Sequence, residues 1–337
     1  MNNDIVKGRV SVLVPCYNGE RFIKRCLDSV LSQTWDDVEL IIVNDGSTDN
    51  SHQIIQSYYS VIEKKLSNFI YINQKNKGVG GAINSALKYF SGEFLATFDC
   101  DDYMMPNSLE VRATWLIDHP ETAVVQNNGY YVTEDDFNNI TKRFSNVTTV
   151  RENIQLFEQL INGETYNWPG SYMVRSSIWL RRCPNREIFE SRSGQNMQLL
   201  LPAAYNNKCD YIPVCLLKYG QHIGSLSNTT QKSETQQISD VLGYQNIYQS
   251  VLKGFLPDSI YDKYNKKIEV TFTRRIMDIK LSYDNKKDAK KYYKKLKASG
   301  SCTLDDRIRY YKVMNEVIFC VLRVYQKLKS FCQLVRI

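Results

Sequence analysis

The sequence predicts an α/β protein: a mostly parallel sheet flanked by helices, followed by a mainly helical C-terminal region. One observation predicts the sheet, and a second separates the C-terminal region from the rest of the chain. In the first hundred residues, short apolar runs typical of buried strands alternate with segments of helical periodicity, and such alternation indicates a parallel sheet with right-handed crossovers. From Val251 onward the chain has 21 Lys and Arg against 9 Asp and Glu, a net charge of +12. Since the whole chain is +7, residues 1–250 are net −5.

The first predicted strand is Val10–Pro15. It is expected to end at Pro15, because proline cannot continue a central ladder. The turn Cys16–Gly19 follows, and Arg21–Gln33 then has the broad apolar face of an amphipathic helix.

A second buried strand, Glu39–Val43, leads into the polar turn Asn44–Ser47. The polar residues Thr48–Asn50 are suitable caps for a helix running through Ile55–Ile62. This strand and helix repeat the pattern of the first pair, as a parallel sheet requires.

A third strand is predicted at Phe69–Ile72, and the glycine-rich stretch Gly78–Gly81 opens a third helix toward Phe90. The fourth strand, Phe94–Phe98, stops abruptly at an acidic run. With four parallel strands, the polar turns that follow them are expected to lie along one edge of the sheet, where ligands bind in open α/β folds.

The acidic run contains Asp99, Asp101 and Asp102. Side chains alternate along an extended chain, so Asp99 and Asp101 are able to point the same way. Converging carboxylates repel each other unless a cation lies between them, and a hard divalent ion such as Mg²⁺ suits oxygen ligands and substrate phosphates. The motif therefore indicates a divalent metal site; the alternative is an acidic surface loop.

Four motifs, in order and spacing, resemble the family 2 glycosyltransferases of the GT-A fold. They are Pro15–Asn18, Asn44–Asp49, Asn76–Gly78 and Asp99–Asp102, the last being similar to that family's DXD motif. The resemblance covers about the first two thirds of the chain, and the ordered set is far more specific than any one motif. It implies a GT-A sheet and a hexosyltransferase-like enzyme.

The resemblance further implies transfer from a nucleotide donor, usually a UDP-sugar, with Mn²⁺ or Mg²⁺. It places Pro15, Tyr17 and Asp45 around the base and ribose. The carboxylate of Asp45 is able to accept a hydrogen bond from the uracil N3–H. Asp99 and Asp101 would hold the metal, which would neutralise charge on the leaving UDP. The expected donor-binding residues are Pro15, Tyr17, Asn18, Asp45, Lys77, Gly78, Asn84, Asp99, Cys100 and Asp101.

Two downstream segments extend the resemblance. Tyr219–Ser227 looks like the stretch that closes the family's catalytic domain, where a histidine in several members contacts metal or phosphate. His222 is therefore an expected metal-site residue, and a structural histidine is the alternative. Asn167–Arg175 resembles the border of the acceptor site, where Trp168 is expected either to stack on a sugar or to pack in the core.

One departure from the family pattern concerns the general base. Many inverting members have Gly-Glu-Asp before an apolar helix, whereas this chain has Gly194 followed by Gln195 and Asn196. An amide cannot accept the proton of an acceptor hydroxyl, so these two residues are expected to orient the acceptor. Three alternatives follow: another carboxylate acts as base, with Glu190 and Glu187 nearest in sequence; the mechanism differs; or the protein is inactive.

The predicted function is metal-assisted, inverting transfer of a sugar to a glycan or lipid-linked saccharide in cell-surface polysaccharide synthesis. Two alternatives come from other classes. One is a non-catalytic nucleotide-binding partner of a polysaccharide synthase complex, suggested by Gln195 and Asn196. The other is a nucleotide-sugar pyrophosphorylase, which the segment Pro15–Gly19 disfavours because it lacks a glycine-rich basic loop.

The expected domains are a GT-A catalytic domain at 1–235 and a basic helical region at 236–337. In the latter, apolar residues from Tyr310 to Phe331 recur every three or four positions, with basic residues on another face. This pattern predicts one amphipathic helix that binds anionic lipid or packs on the catalytic domain. Nucleic-acid binding is not expected, since no recognisable module is present.

Nine scattered cysteines without a CxxC pair indicate reduced thiols of a cytosolic protein. No signal peptide is expected before Val10, and no uncharged apolar run approaches the roughly 20 residues of a membrane-spanning helix. The expected location is therefore cytoplasmic, peripheral on the inner face of the cell membrane.

Overall fold

A computed structural model describes residues 4–133, 136–191, 194–222 and 232–334 of the chain, with Gln195 and residues 327–334 described by their backbone only. In this part of the chain, nine strands form one sheet. The strands are β1 (Val6–Cys16), β2 (Val38–Asp45), β3 (Asn68–Gln74), β4 (Gly92–Thr97), β5 (Tyr103–Met104), β6 (Thr122–Thr133), β7 (Ile140–Arg143), β8 (Tyr172–Arg175) and β9 (Lys208–Gln221).

Helices lie between the strands and make up the C-terminal region. The helices that accompany the sheet are α1 (Ile23–Leu31), α2 (Ser51–Ser57), α3 (Tyr59–Lys65), α4 (Gly78–Leu87), α5 (Ser108–Asp118), α6 (Leu156–Asn162), α7 (Ser176–Leu180) and α8 (Gln195–Ala204). The later helices are α9 (Glu234–Phe255), α10 (Asp258–Ser282), α11 (Lys286–Ala298), α12 (Leu304–Met314) and α13 (Glu316–Leu334).

The parallel half of the sheet has the order β3-β2-β1-β4, which confirms the four predicted strands and the α/β class. Val12 of β1 aligns with Leu40 of β2 and with Ala96 of β4, and all three side chains are fully buried. Burial on both faces explains why these strands read as continuous apolar runs. Their carboxyl ends meet at one edge, as predicted.

Two element boundaries differ from the prediction. Strand β1 continues one residue past Pro15, to Cys16, instead of ending at the proline. This is possible because β4 pairs with β1 only as far as Leu13, so that Pro15 has a neighbour on one side alone. The helix predicted through Ile55–Ile62 is divided at Tyr58, whose hydroxyl donates a 2.7 Å hydrogen bond to Asp28 of α1.

The remaining strands extend the sheet from β4 in the order β8-β6-β9-β5, with β7 paired to β6. A buried cation fixes this half. Arg112 of α5 has no exposed surface, and its guanidinium donates to the carbonyls of Gly170 at 3.1 Å and Tyr172 at 2.9 Å. Burial lowers the pKa of Arg112 to about 9. Helix α5 thereby fixes the backbone at the start of β8.

The chain divides into two compact units. One contains the described residues of Met1–Asn228 and Ser250–Leu256, and the other those of Thr229–Gln249 and Pro257–Ile337. Helix α9 therefore contributes to both units. The division into domains at residue 235 stays a prediction, because the two units interleave along this helix.

The second unit has a small apolar core between α10, α11 and α12. Tyr293 of α11 and Tyr310 of α12 stack with ring centroids 3.9 Å apart, and both side chains are buried. In the part of the chain that the structure describes, no helix is both long enough and apolar enough to cross a membrane.

The prediction of one amphipathic helix from Tyr310 to Phe331 is wrong. Helix α12 ends at Met314, Asn315 is extended with φ −161° and ψ 107°, and α13 follows. The Asn315 side chain accepts the Ile318 N–H at 3.0 Å and so caps a new helix. Tyr310 lies in the core, whereas Val317 and Val321 of α13 are 74% and 64% exposed.

Candidate functional site

Two loops are joined at the carboxyl edge of the parallel strands. Asn18, in a left-handed conformation with φ +49°, accepts the Thr48 N–H at 2.8 Å through Oδ1 and donates its own N–H to Ser47 Oγ at 3.0 Å. Asparagine tolerates this conformation better than most residues. Asn18 therefore connects the loops after β1 and β2, while the adjacent Tyr17 is 52% exposed at this edge.

Asp45 ends β2 and is almost completely buried. Its Oδ1 accepts hydrogen bonds from Gln74 Nε2 at 2.7 Å and from the Lys77 backbone N–H at 2.9 Å. The end of β3 and the start of α4 thus hold this carboxylate in place. Lys77 itself has an exposed side chain, and Gly78 begins α4 with φ +76°.

An acidic cluster lies beyond the end of β4. One carboxylate oxygen from each of Asp99, Asp101 and Asp102 lies within 4.8 Å of the others. Gly220 N–H donates to Asp102 Oδ1 at 2.9 Å, but the buried Oδ2 of Asp102 has no hydrogen-bond partner among the described residues. His222 Nε2 is 2.8 Å from Asp101 Oδ2, so the predicted histidine reaches the cluster through Asp101.

The electrostatics of this cluster favour a bound cation. Burial, together with repulsion from Asp101, raises the pKa of Asp99 and Asp102 well above the usual carboxyl range. An unpartnered buried carboxylate oxygen is unfavourable unless something satisfies it. Three oxygen donors at this spacing fit a hard divalent ion such as Mn²⁺ or Mg²⁺.

Cys100, predicted among the donor-binding residues, lies against another thiol. A hydrogen bond between Cys16 and Cys100 lowers the pKa of Cys16 and raises that of Cys100. A Cβ placed on Gly19 would lie 3.0 Å from Cys16 Sγ and 3.1 Å from Cys100 Sγ. Gly19 therefore leaves room for this thiol pair beside the acidic cluster.

Asn196 lies in the first turn of α8 and forms a polar group with two hydroxyls. Its Oδ1 accepts from Tyr172 OH at 2.7 Å and from Thr97 Oγ1 at 3.3 Å. Sequence reasoning missed this role of Thr97 and Tyr172, although Thr97 is the last residue of β4 and lies only two positions before Asp99. The predicted Gln195 begins α8; its side chain lies outside the described part, as do residues 223–227 of the predicted closing segment.

Trp168 belongs to a group of aromatic rings on β6 and β9. Its Nε1 donates a 2.9 Å hydrogen bond to Tyr131 OH, and its ring centroid is 4.9 Å from that of Tyr219. Tyr131 and Tyr219 are themselves 5.8 Å apart in an edge-on arrangement. The half-buried Trp168 therefore combines packing with a partly accessible ring.

Two amides hold the segment that contains Glu190. Asn84 of α4 donates to the Ile188 carbonyl at 2.8 Å and accepts the Ile188 N–H at 2.7 Å. Gln198 of α8 makes the same pair of bonds to Phe189, at 2.9 and 2.6 Å. Asn84, a predicted donor-binding residue, thus has its side-chain amide engaged with protein backbone.

Helix α4 also contacts the next part of this segment, because Gly80 N–H donates to the Ser191 carbonyl at 2.9 Å. Glu190 therefore lies between two fixed residues, with its side chain exposed. Since α4 begins beside Asp45, this carboxylate is on an ordered segment near the carboxyl edge.

Gly80→Ala is expected to destabilise the protein by about 1–3 kcal/mol. A Cβ at this position would lie 2.7 Å from Ser191 N and 2.8 Å from Ser191 O, and backbone atoms cannot rotate away. Chemical denaturation measures the change. The control is Gly243→Ala in α9, where a Cβ meets nothing within 4 Å. That substitution should stabilise by up to about 1 kcal/mol. Equal stability of the two variants would refute the close contact.

The sequence matches the family described as Glycosyl transferase family 2 over residues 11–189. A curated relative is "Glycosyltransferase GlyA" of Streptococcus pneumoniae, which is 31% identical over 252 residues. That alignment covers 71% of this chain but only 34% of GlyA. The chain thus corresponds to about a third of that relative's length.

Two solved structures are similar in fold. S. aureus TarS 1-349, in complex with UDP-GlcNAc, has a TM-score of 0.58 at 19% identity, with 90% of this chain and 79% of that chain covered. The mannosyltransferase PcManGT from Pyrobaculum calidifontis, in complex with GDP-Man and Mn²⁺, has a TM-score of 0.55 at 14% identity, with 96% and 84% covered. At these identities the likeness establishes the shared fold.

Proposed function

Because this chain belongs to glycosyl transferase family 2, we propose that it is a glycosyltransferase that moves a sugar from a nucleotide donor to a saccharide or lipid-linked acceptor. The reaction forms a bond between the acceptor oxygen and the anomeric carbon and breaks the bond between that carbon and the donor phosphate. Attack from the face opposite the leaving group gives inversion. The product class is a polysaccharide or its precursor.

The observation that carries the proposal is the acidic cluster, with its unpartnered Asp102 oxygen, at the edge of the sheet that also holds Asp45. Two solved structures of similar fold are complexes with nucleotide sugars, UDP-GlcNAc in TarS and GDP-Man with Mn²⁺ in PcManGT. We assign this chain a UDP-sugar, since a carboxylate such as Asp45 suits the N3–H of uracil.

Each residue at the donor side has a distinct proposed role. Asp99, Asp101 and Asp102 would hold Mn²⁺ or Mg²⁺, which when bound supplies positive charge to the diphosphate and to the leaving UDP. Asp45 accepts from the base, and the exposed Tyr17 ring covers it. The Lys77 side chain, which is exposed, would approach the phosphates.

The acceptor side lacks a carboxylate at Asn196. Its amide oxygen is already engaged with Tyr172 and Thr97, so Asn196 orients the acceptor and does not remove its proton. Burial raises the pKa of Tyr172 far above neutrality, so the phenol stays protonated and is not the base. We assign the base to Glu190, and the partly accessible ring of Trp168 to stacking on the acceptor sugar.

The test is UDP release from a panel of UDP-sugars with Mn²⁺, with and without a membrane extract that supplies acceptors. Release that depends on both metal and extract is the expected result. UDP binding without turnover on any donor would instead support the non-catalytic synthase partner. Failure to bind UDP at all would remove the UDP-donor assignment.

Attachment to the inner membrane surface is the proposed location. Exposed apolar side chains on α13, among them Val317, Val321 and Val324, support it, since an amphipathic helix binds a bilayer interface through such a face.

A further inference from the structure

Helix α11 has a row of lysines on one face. Ala289, Tyr293 and Leu296 of this helix are buried against the core of the second unit, and the lysines lie opposite them. Their spacing of three and four residues places them on one side of a helix over about 12 Å of its length. This lysine face consists of Lys287, Lys290, Lys291, Lys294 and Lys295, all exposed.

The charge of the lysine face is not balanced by carboxylates. The one acidic residue of α11, Asp288, is turned toward α10, where Lys280 Nζ lies 3.0 Å from its carboxylate. Within the described part of the chain, none of the five lysines forms an ion pair. Their side chains and Ala298 line a shallow surface depression of about 470 Å³. This patch is therefore suited to an anionic occupant.

One basic residue expected on the terminal amphipathic helix, Arg309, is engaged in ion pairs. Arg309 of α12 is paired with Asp278 at 3.0 Å and with Asp306 at 2.6 Å. Exposed apolar side chains thus lie on α13, and a continuous row of exposed lysines lies on α11.

We propose that the lysine face of α11 docks the protein on a surface of anionic phospholipid. This inference deepens the membrane attachment proposed above and rests on it, but not on sugar transfer. All five charges are ammonium groups, which suit diffuse attraction to headgroups more than the bidentate recognition typical of arginine. The same unit exposes the apolar side chains of α13, which a lipid interface uses and a soluble polyanion does not.

Co-sedimentation of the full chain with vesicles tests the proposal. Wild type should bind vesicles of phosphatidylcholine with phosphatidylglycerol in preference to phosphatidylcholine alone, and salt should weaken that preference. A triple variant, Lys290→Gln, Lys291→Gln and Lys294→Gln, should lower partitioning on the order of 100-fold, since each basic residue near the surface contributes about fivefold.

The matched control removes the same charge elsewhere: Lys253→Gln, Lys263→Gln and Lys266→Gln, all exposed outside α11. It should change partitioning by less than about threefold. Equal losses in the two triple variants would overturn the proposal, as would equal binding of wild type to neutral vesicles.

Two further measurements distinguish lipid docking through α11 from binding of a soluble polyanion and from attachment through α13 alone. If polyphosphate bound wild type as tightly as the anionic vesicles, and the α11 variant lost both, the ligand would be a soluble polyanion and the lipid assignment would be wrong. If the double variant Val321→Ser with Val324→Ser lost vesicle binding while the α11 variant kept it, membrane attachment would be supported. Docking through the lysine face of α11 would then be refuted. UDP binding, measured in parallel, should be unchanged in every variant.

Discussion

Asp101→Asn is expected to abolish metal-dependent UDP binding without unfolding the protein. Asp101 is partly exposed and forms the acidic cluster with Asp99 and Asp102. Its replacement by a neutral amide removes one of the charges that attract the ion and disturbs the contact with His222. Losing an outer partner of a metal ligand typically lowers affinity 10- to 100-fold, so losing the ligand should weaken binding on the order of 100-fold or more.

Calorimetry with UDP and Mn²⁺ measures this effect, and Asp99→Asn should behave in the same way. Asp118→Asn, at an exposed position on α5, is the control for loss of one negative charge. Its affinity should match wild type, and thermal unfolding should show that all three variants remain folded. Unchanged affinity in both Asp99→Asn and Asp101→Asn would remove the metal assignment.

Glu190→Gln is expected to lower turnover by about 10²–10⁴-fold, the usual contribution of a general base. Gln keeps the size of the side chain but cannot accept the acceptor proton, so the acidic limb of the pH–rate profile should disappear. UDP affinity should stay unchanged, because the backbone bonds that hold this segment through Asn84, Gln198 and Gly80 are not altered.

Glu187→Gln is the matched control, since Glu187 is another exposed carboxylate three residues away. It should retain nearly full turnover. A fully active Glu190→Gln enzyme would exclude Glu190 as the base. If Asn196→Ala instead lost turnover by this factor and changed the pH–rate profile, Asn196 would do more than orient the acceptor.

The parallel half of the fold was predictable because its determinants are local. Apolar runs such as Leu40–Val43 and the polar turns after them are set by neighbouring residues, and four strands of this kind admit few topologies. The convergence of Asp45 and the acidic cluster on one edge follows from that topology. The break at Asn315 was not predictable from periodicity, since the apolar spacing continues through a residue that caps a new helix.

The candidate site was predictable only where its residues follow one another in the chain. Asp99, Asp101 and Asp102 are a local run, and a turn after β4, not an extended strand, brings them together: the Asp102 N–H donates to the Asp99 carbonyl at 3.3 Å. The bonds of Asn196 to Thr97 and Tyr172 join residues 99 and 24 positions apart. Such partners are selected by packing, because many polar side chains in the sequence offer the same chemistry.

The sequence by itself determined the α/β order of the elements, the acidic motif and the strong positive charge beyond Val251. These properties depend on residue type and short spacing. Only the tertiary structure decided which polar atoms lose water and which keep it. Asp102 Oδ2 is buried with no hydrogen-bond partner among the described residues, Arg309 is paired with two carboxylates, and the lysines of α11 face solvent. Exposure and pairing depend on which surfaces meet when the chain packs, and charge alone does not specify that.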